Sequence, residues 1–97
     1  MEKLIYLNEL FDLYGELLTE KQQDYFKDYY FNNLSYGEIA NKYGISRNAI
    51  YKQLKLIEEK LYFLEKKLNL YVKKKQIDDI IDMIDDSGLR RKLENLF

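Results

Sequence analysis

Residues 39–55 read IANKYGISRNAIYKQLK and carry four positive charges and no negative one, in a chain whose formal net charge is −1. The spacing of this stretch predicts a helix-turn-helix. Ala40 supplies the small residue needed where a second helix crosses the first. Gly44 follows four residues later as the turn, and Ile45, Ile50 and Leu54 recur at positions expected to face inward. Ser46 suits the N-cap of the second helix, and Arg47, Asn48, Tyr51, Lys52 and Lys55 remain on its outer side. Arg47 and Asn48 have the donor geometry for base edges, the two lysines suit phosphates, and Tyr51 adds an aromatic face. Arg47 is also the only arginine before residue 90 and sits just after the cap, where a recognition helix first enters a groove.

Outward from this unit the sequence reads as helix almost throughout. Apolar residues at 4, 7, 11, 14 and 18 alternate in steps of three and four, which predicts a first helix from about Glu2 to Leu18. Thr19 to Gln22 has the form of a capping box, and a second helix is expected to run to about Phe31, where Asn32-Asn33 breaks it. Ser35 to Glu38 repeats the capping box ahead of a short third helix closed by Gly44. The series 50, 54, 57, 61, 64, 68, 71 then predicts one helix of about 25 residues, with 56, 63 and 70 widening its apolar stripe. Lys73-Lys74-Lys75 is expected to interrupt it. Ile77, Ile80, Ile81 and Ile84 form a further helical face, and a last helix is expected from Leu89 to Phe97. The chain thus reads as one all-α domain, residues 1–97, with the helix-turn-helix at about 35–56 and a C-terminal helical extension at about 72–97.

The absence of Cys and His removes disulfides, thiol nucleophiles, the usual general base and zinc sites. Thr19, Ser35, Ser46 and Ser87 are the complete set of Ser and Thr, and each falls where a helix should begin, so capping accounts for them all. Asp78, Asp79, Asp82, Asp85 and Asp86 read as a solvated face opposite the isoleucines rather than a magnesium site. There is no glycine-rich phosphate loop. The sequence therefore predicts no enzyme and no cofactor. It also offers no apolar run approaching the ~20 residues of a membrane span and no signal peptide, which leads to the expectation of a soluble cytoplasmic protein.

The order Leu18-Thr19, Lys21-Gln22, Tyr25, Tyr29-Tyr30, Leu34-Ser35, Glu38-Ile39-Ala40, Ile45-Ser46-Arg47 and Ala49 resembles the YlxM family of small bacterial proteins. That family is encoded beside signal recognition particle GTPase genes, and its helix-turn-helix is similar to region 4 of sigma factors. The resemblance covers most of residues 4–68. It implies an all-helical protein with a winged-helix-like or sigma-region-4-like DNA-binding module and a regulatory or accessory role in the signal recognition particle pathway. It also implies that Ser46, Arg47, Asn48, Tyr51, Lys52 and Lys55 form the contacting surface. Leu56 departs from the pattern by standing where a further basic residue is expected. No strand pair appears for a wing, so the plain sigma-region-4-like form is expected.

The leading reading is a nucleic-acid-binding regulator, with DNA ahead of RNA as the ligand. Its rival is an adaptor that keeps the helix-turn-helix scaffold but docks on a ribonucleoprotein or GTPase through aromatic and acidic faces. Residues 1–34 hold three positive and seven negative charges, which repel a polyanion unless that face points away. The apolar series from Ile50 to Tyr71 outreaches the first helix. Its end around Leu64, Leu68 and Tyr71 therefore needs another partner, which the isoleucine face of residues 77–84 could supply by folding back, while a homodimer through the C-terminal helices is the preferred expectation.

Overall fold

The structure is a computed structural model describing residues 2–96, and every regular element among them is helical. α1 spans Glu2–Tyr14 and gives way to one 3-10 turn, Gly15–Leu17, four residues before the predicted end of the helix. Gly15 lies under the Phe11 ring, where an added Cβ would come within 3.1 Å of it, so chain and ring pack closely at this bend. α2, Glu20–Phe26, starts on the predicted Thr19–Gln22 capping box. It then widens into a single π turn, Lys27–Phe31, with the Asn32 N–H reaching back to the Lys27 carbonyl at 3.0 Å.

α3, Tyr36–Tyr43, opens on the second capping box, between Ser35 and Glu38. Its end is left-handed at Gly44, φ 68°, and the N–H groups of Gly44 and Ile45 both return to the Ala40 carbonyl. α4, Arg47–Leu68, begins where the Ser46 hydroxyl accepts the Ala49 N–H at 3.0 Å.

The core forms where α1, α2 and α3 close around α4. Leu7, Leu10, Phe11 and Tyr14 meet Tyr25 and Phe26, Ile39 and Ala40, and the α4 series Ile50, Leu54, Ile57 and Leu61. The rings of Phe11 and Phe26 lie parallel with centroids 4.2 Å apart. Ala40 is buried at the α3–α4 crossing, as its size requires, whereas Ile45 in the turn remains 38% exposed and does not join the core as expected.

The α4 seam departs from the predicted strict heptad. After Leu61 the next fully inward position is Glu65 rather than Leu64, because a straight helix advances 3.6 residues per turn and a 3.5-residue pattern drifts off its face. Leu64 is half-buried against the core, and Leu68 is exposed. The single long helix expected through Tyr71 does not form either. Asn69 adopts a left-handed conformation at φ 56° and ends α4, since Asn tolerates that region better than other non-glycine residues.

The chain restarts at once as α5, Leu70–Ile81, so Lys73-Lys74-Lys75 lies inside a helix instead of breaking one. α5 packs on α1, with Tyr71 edge-on to Tyr6 at 4.9 Å, and Lys74 and Lys75 share a small cleft with Glu9 and Asp12 of α1. Tyr71 thus finds its partner within the chain. α6, Ser87–Glu94, starts two residues earlier than predicted, and its cap is the Asp86 carboxylate, which accepts the Leu89 N–H, not the Ser87 hydroxyl. The molecule measures 53 × 25 × 24 Å. Its radius of gyration, 16.6 Å, exceeds the roughly 12.5 Å of a compact globule of this length, because α5 and α6 extend from the α1–α4 body.

Candidate nucleic-acid interface

Two devices fix α3 against the rest of the body. The π turn carries Asp28 inward, where its carboxylate accepts bonds from Lys42 Nζ at 3.1 and 3.2 Å, Tyr43 hydroxyl at 2.7 Å and Asn32 Nδ2 at 3.4 Å. Burial works to raise the Asp28 pKa, but the bonds from Tyr43 and Lys42 outweigh it and hold the group below the ordinary carboxylate value. The same turn aims Tyr29 and Tyr30 toward the start of α3 and the middle of α4. Tyr29 stacks on Tyr36 at 5.1 Å, and the Tyr30 hydroxyl donates to Glu58 at 2.6 Å.

With α3 held, α4 presents Ser46, Arg47, Asn48, Tyr51, Lys52 and Lys55 as exposed residues. All six expected contact residues reach solvent, but they separate into two stripes. Arg47, Tyr51 and Lys55, spaced four apart, lean toward the start of α3. The Arg47 guanidinium lies over Gly37, with Nε 3.5 Å from where a Cβ would stand, and Tyr51 meets Tyr36 edge-on at 5.9 Å. Lys55 Nζ sits 5.8 Å above the Tyr51 ring. Asn48 and Lys52 form the second stripe, one residue further around the helix.

Among the described residues, no carboxylate lies within ion-pair distance of Arg47, Lys52 or Lys55. Leu56, the departure from the expected basic pattern, is exposed on the outer side of α4.

The sequence reading missed what flanks the first stripe. An open groove of about 410 Å3 runs beside it, lined by Tyr29, Tyr30, Tyr36 and Tyr51 together with Lys3, Lys55 and Glu58. Tyrosine abundance was its only sequence signal, and eight of the ten tyrosines are buried or half-buried, so abundance alone does not locate it. Elsewhere among the described residues, no three acidic side chains gather to hold a metal ion, and no helix is long and apolar enough to cross a membrane.

A capped α3, a left-handed glycine turn and a second helix with a solvent-facing basic side, all seated on a helical body, define a helix-turn-helix protein. Comparison with known proteins agrees with that class. A family model described as "Putative helix-turn-helix protein, YlxM / p13 like" matches residues 1–96, and the chain belongs to this family, UPF0122. A UPF0122 protein of Mycoplasma capricolum subsp. capricolum is 39% identical over 92 residues, covering 95% of this chain and 81% of that protein. One from Listeria innocua is 43% identical over 84 residues, covering 87% and 76% respectively. Another, from a Geobacillus strain, is 38% identical over 91 residues, covering 94% and 83%.

Proposed function

We propose that this protein binds nucleic acid as a regulatory or accessory factor, through the α4 surface of Ser46, Arg47, Asn48, Tyr51, Lys52 and Lys55. The observation that carries the reading is the run Ser46–Ile57, whose three exposed cations have no carboxylate partner among the described residues. Each phosphate neutralised by such a cation releases condensed counterions, so affinity falls with salt in proportion to the number of contacts. Duplex DNA suits a helix of this kind. The family resemblance makes signal recognition particle RNA the second ligand to compare.

Arg47→Ala is expected to cost about 1–3 kcal/mol of binding and to relax sequence preference, while Lys52→Ala weakens all sequences alike and lowers the salt slope by about one. Both residues are exposed, so the melting temperature should stay at the parent value. A salt titration of the parent and both variants on duplex DNA and on the RNA checks this. Equal affinity of all three chains would remove the surface from consideration.

We further propose that the protein acts as a homodimer, because paired helix-turn-helix units read two half-sites. Because Leu64 and Tyr71 pack within the chain, the contact we propose is on the outer side of α4. There Leu56 and Phe63, seven residues apart on one face, are both exposed, with Leu68 and Val72 exposed at the helix junction. Sedimentation at micromolar concentration is expected to give twice the chain mass for the parent and the 11.8 kDa monomer for Phe63→Asp. A monomeric parent rules the dimer out.

A further inference from the structure

We infer that the tyrosine groove beside α4 is a stacking site for an unpaired nucleobase, so that the preferred ligand joins a duplex to a bulged or single-stranded nucleotide. The inference rests on the nucleic-acid reading above and adds a ligand feature to it. The groove's volume, about 410 Å3, falls in the roughly 300–1,000 Å3 range of small-ligand clefts. Its lining combines four tyrosines with Leu4, Leu7 and Leu54: Tyr29 and Tyr36 stack with 16° between their planes, and Tyr51, 45% exposed, stands across from Tyr36 at 74°. Every base has a π face, so such a lining accepts bases with little regard to sequence.

Charge decides between a base and a cation as the occupant. Aromatic clefts with a carboxylate also take cationic side chains, but Lys3 already pairs with Glu58 at 3.5 Å, and Lys55 already sits over Tyr51. The lining carries two lysines against one glutamate, a net positive charge that favours a ligand bearing phosphate. The Tyr36 and Tyr30 phenols add no negative charge near neutral pH. The Tyr36 hydroxyl is pushed up to about 12, first by the adjacent Tyr29 hydroxyl and then by burial. Burial and the bond to Glu58 raise the Tyr30 hydroxyl as well. The groove is also continuous with the Arg47–Tyr51–Lys55 stripe, so a backbone lying along that stripe passes its mouth.

The test uses the full chain and two hairpins of the same stem, one fully paired and one with a single bulged 2-aminopurine. The parent is expected to bind the bulged hairpin roughly 5- to 150-fold more tightly, the value of one base–aromatic stack, and to quench the 2-aminopurine fluorescence. Tyr36→Phe should keep both effects, whereas Tyr36→Leu and, independently, Tyr29→Leu should bring the ratio of the two affinities toward one; because both rings also help to hold α3, that ratio is the readout rather than either affinity alone. Parent binding to the paired hairpin with neither preference nor quenching for the bulge overturns the groove proposal and leaves the nucleic-acid reading standing. Failure of the parent to bind either hairpin overturns both.

Discussion

Asp28→Ala is expected to destabilise the protein by about 3 kcal/mol, because it removes the acceptor for several charged or buried donors at once. Lys42, Tyr43 and Asn32 all converge on that carboxylate, and the Leu34 N–H binds the Asp28 carbonyl at 3.0 Å just beyond the π turn. Lys42 is half exposed and can return to water, so the loss falls mainly on Tyr43 and on the docking of α3.

The pH dependence has a fixed sign. The folded Asp28 pKa lies below the ordinary 3.8, so its contribution is complete above the unfolded value and is lost as pH falls through the folded one. The stability gap between parent and Asp28→Ala should therefore be constant from about pH 5 to 8 and narrow as pH falls below about 4. Urea unfolding at a series of pH values measures both quantities. A gap that is absent, or that widens on acidification, would contradict the assignment.

Glu65→Ala is expected to have a comparable effect at the other end of the molecule. The Glu65 carboxylate is buried at the last turn of α4, where it accepts the Tyr14 hydroxyl at 2.6 Å, the Tyr71 N–H at 2.9 Å and the Val72 N–H at 3.3 Å. One helix thus provides the N-terminal cap of the next, and its negative charge sits at the positive end of the α5 dipole. Tyr14 completes the latch by accepting the Leu70 N–H at 3.1 Å, and its hydroxyl is pushed up to about 12 by burial and by the bond to Glu65.

Removing the carboxylate leaves a buried hydroxyl and two first-turn N–H groups without their partner, a loss of about 3 kcal/mol. Because α5 and α6 extend from the α1–α4 body, the loss should appear first as local opening. Amide exchange over 70–81 should accelerate strongly in Glu65→Ala while α3 and the first half of α4 keep their protection, with Glu65→Gln intermediate. Unchanged protection of α5 would mean that its packing on α1 alone holds it in place.

The helix-turn-helix was legible because its determinants are local. Thr19–Gln22, Ser35–Glu38 and Ser46 cap helices through bonds spanning three residues, Gly44 meets a backbone requirement of its own position, and Ala40 answers a steric limit at one crossing. The exposed set Arg47, Asn48, Tyr51, Lys52 and Lys55 followed from helical period alone, once Ile50 and Leu54 were assigned inward.

Features that depend on residues far apart in sequence could be decided only by the fold. The bonds of Asp28 to Lys42 and Tyr43, of Tyr30 to Glu58 and of Tyr14 to Glu65 span 14, 15, 28 and 51 residues. In each, an ordinary-looking acidic residue becomes the acceptor that fixes a helix in place. The end of α4 was misread for the same reason. Apolar spacing continues past Leu68 without a break, but a left-handed Asn69 with a buried Glu65 capping the next helix is stable only once α1 supplies Tyr14. The tyrosine groove has the same origin, since a π turn in one segment and the entry of α3 in another must meet over α4 before four scattered rings share one cleft.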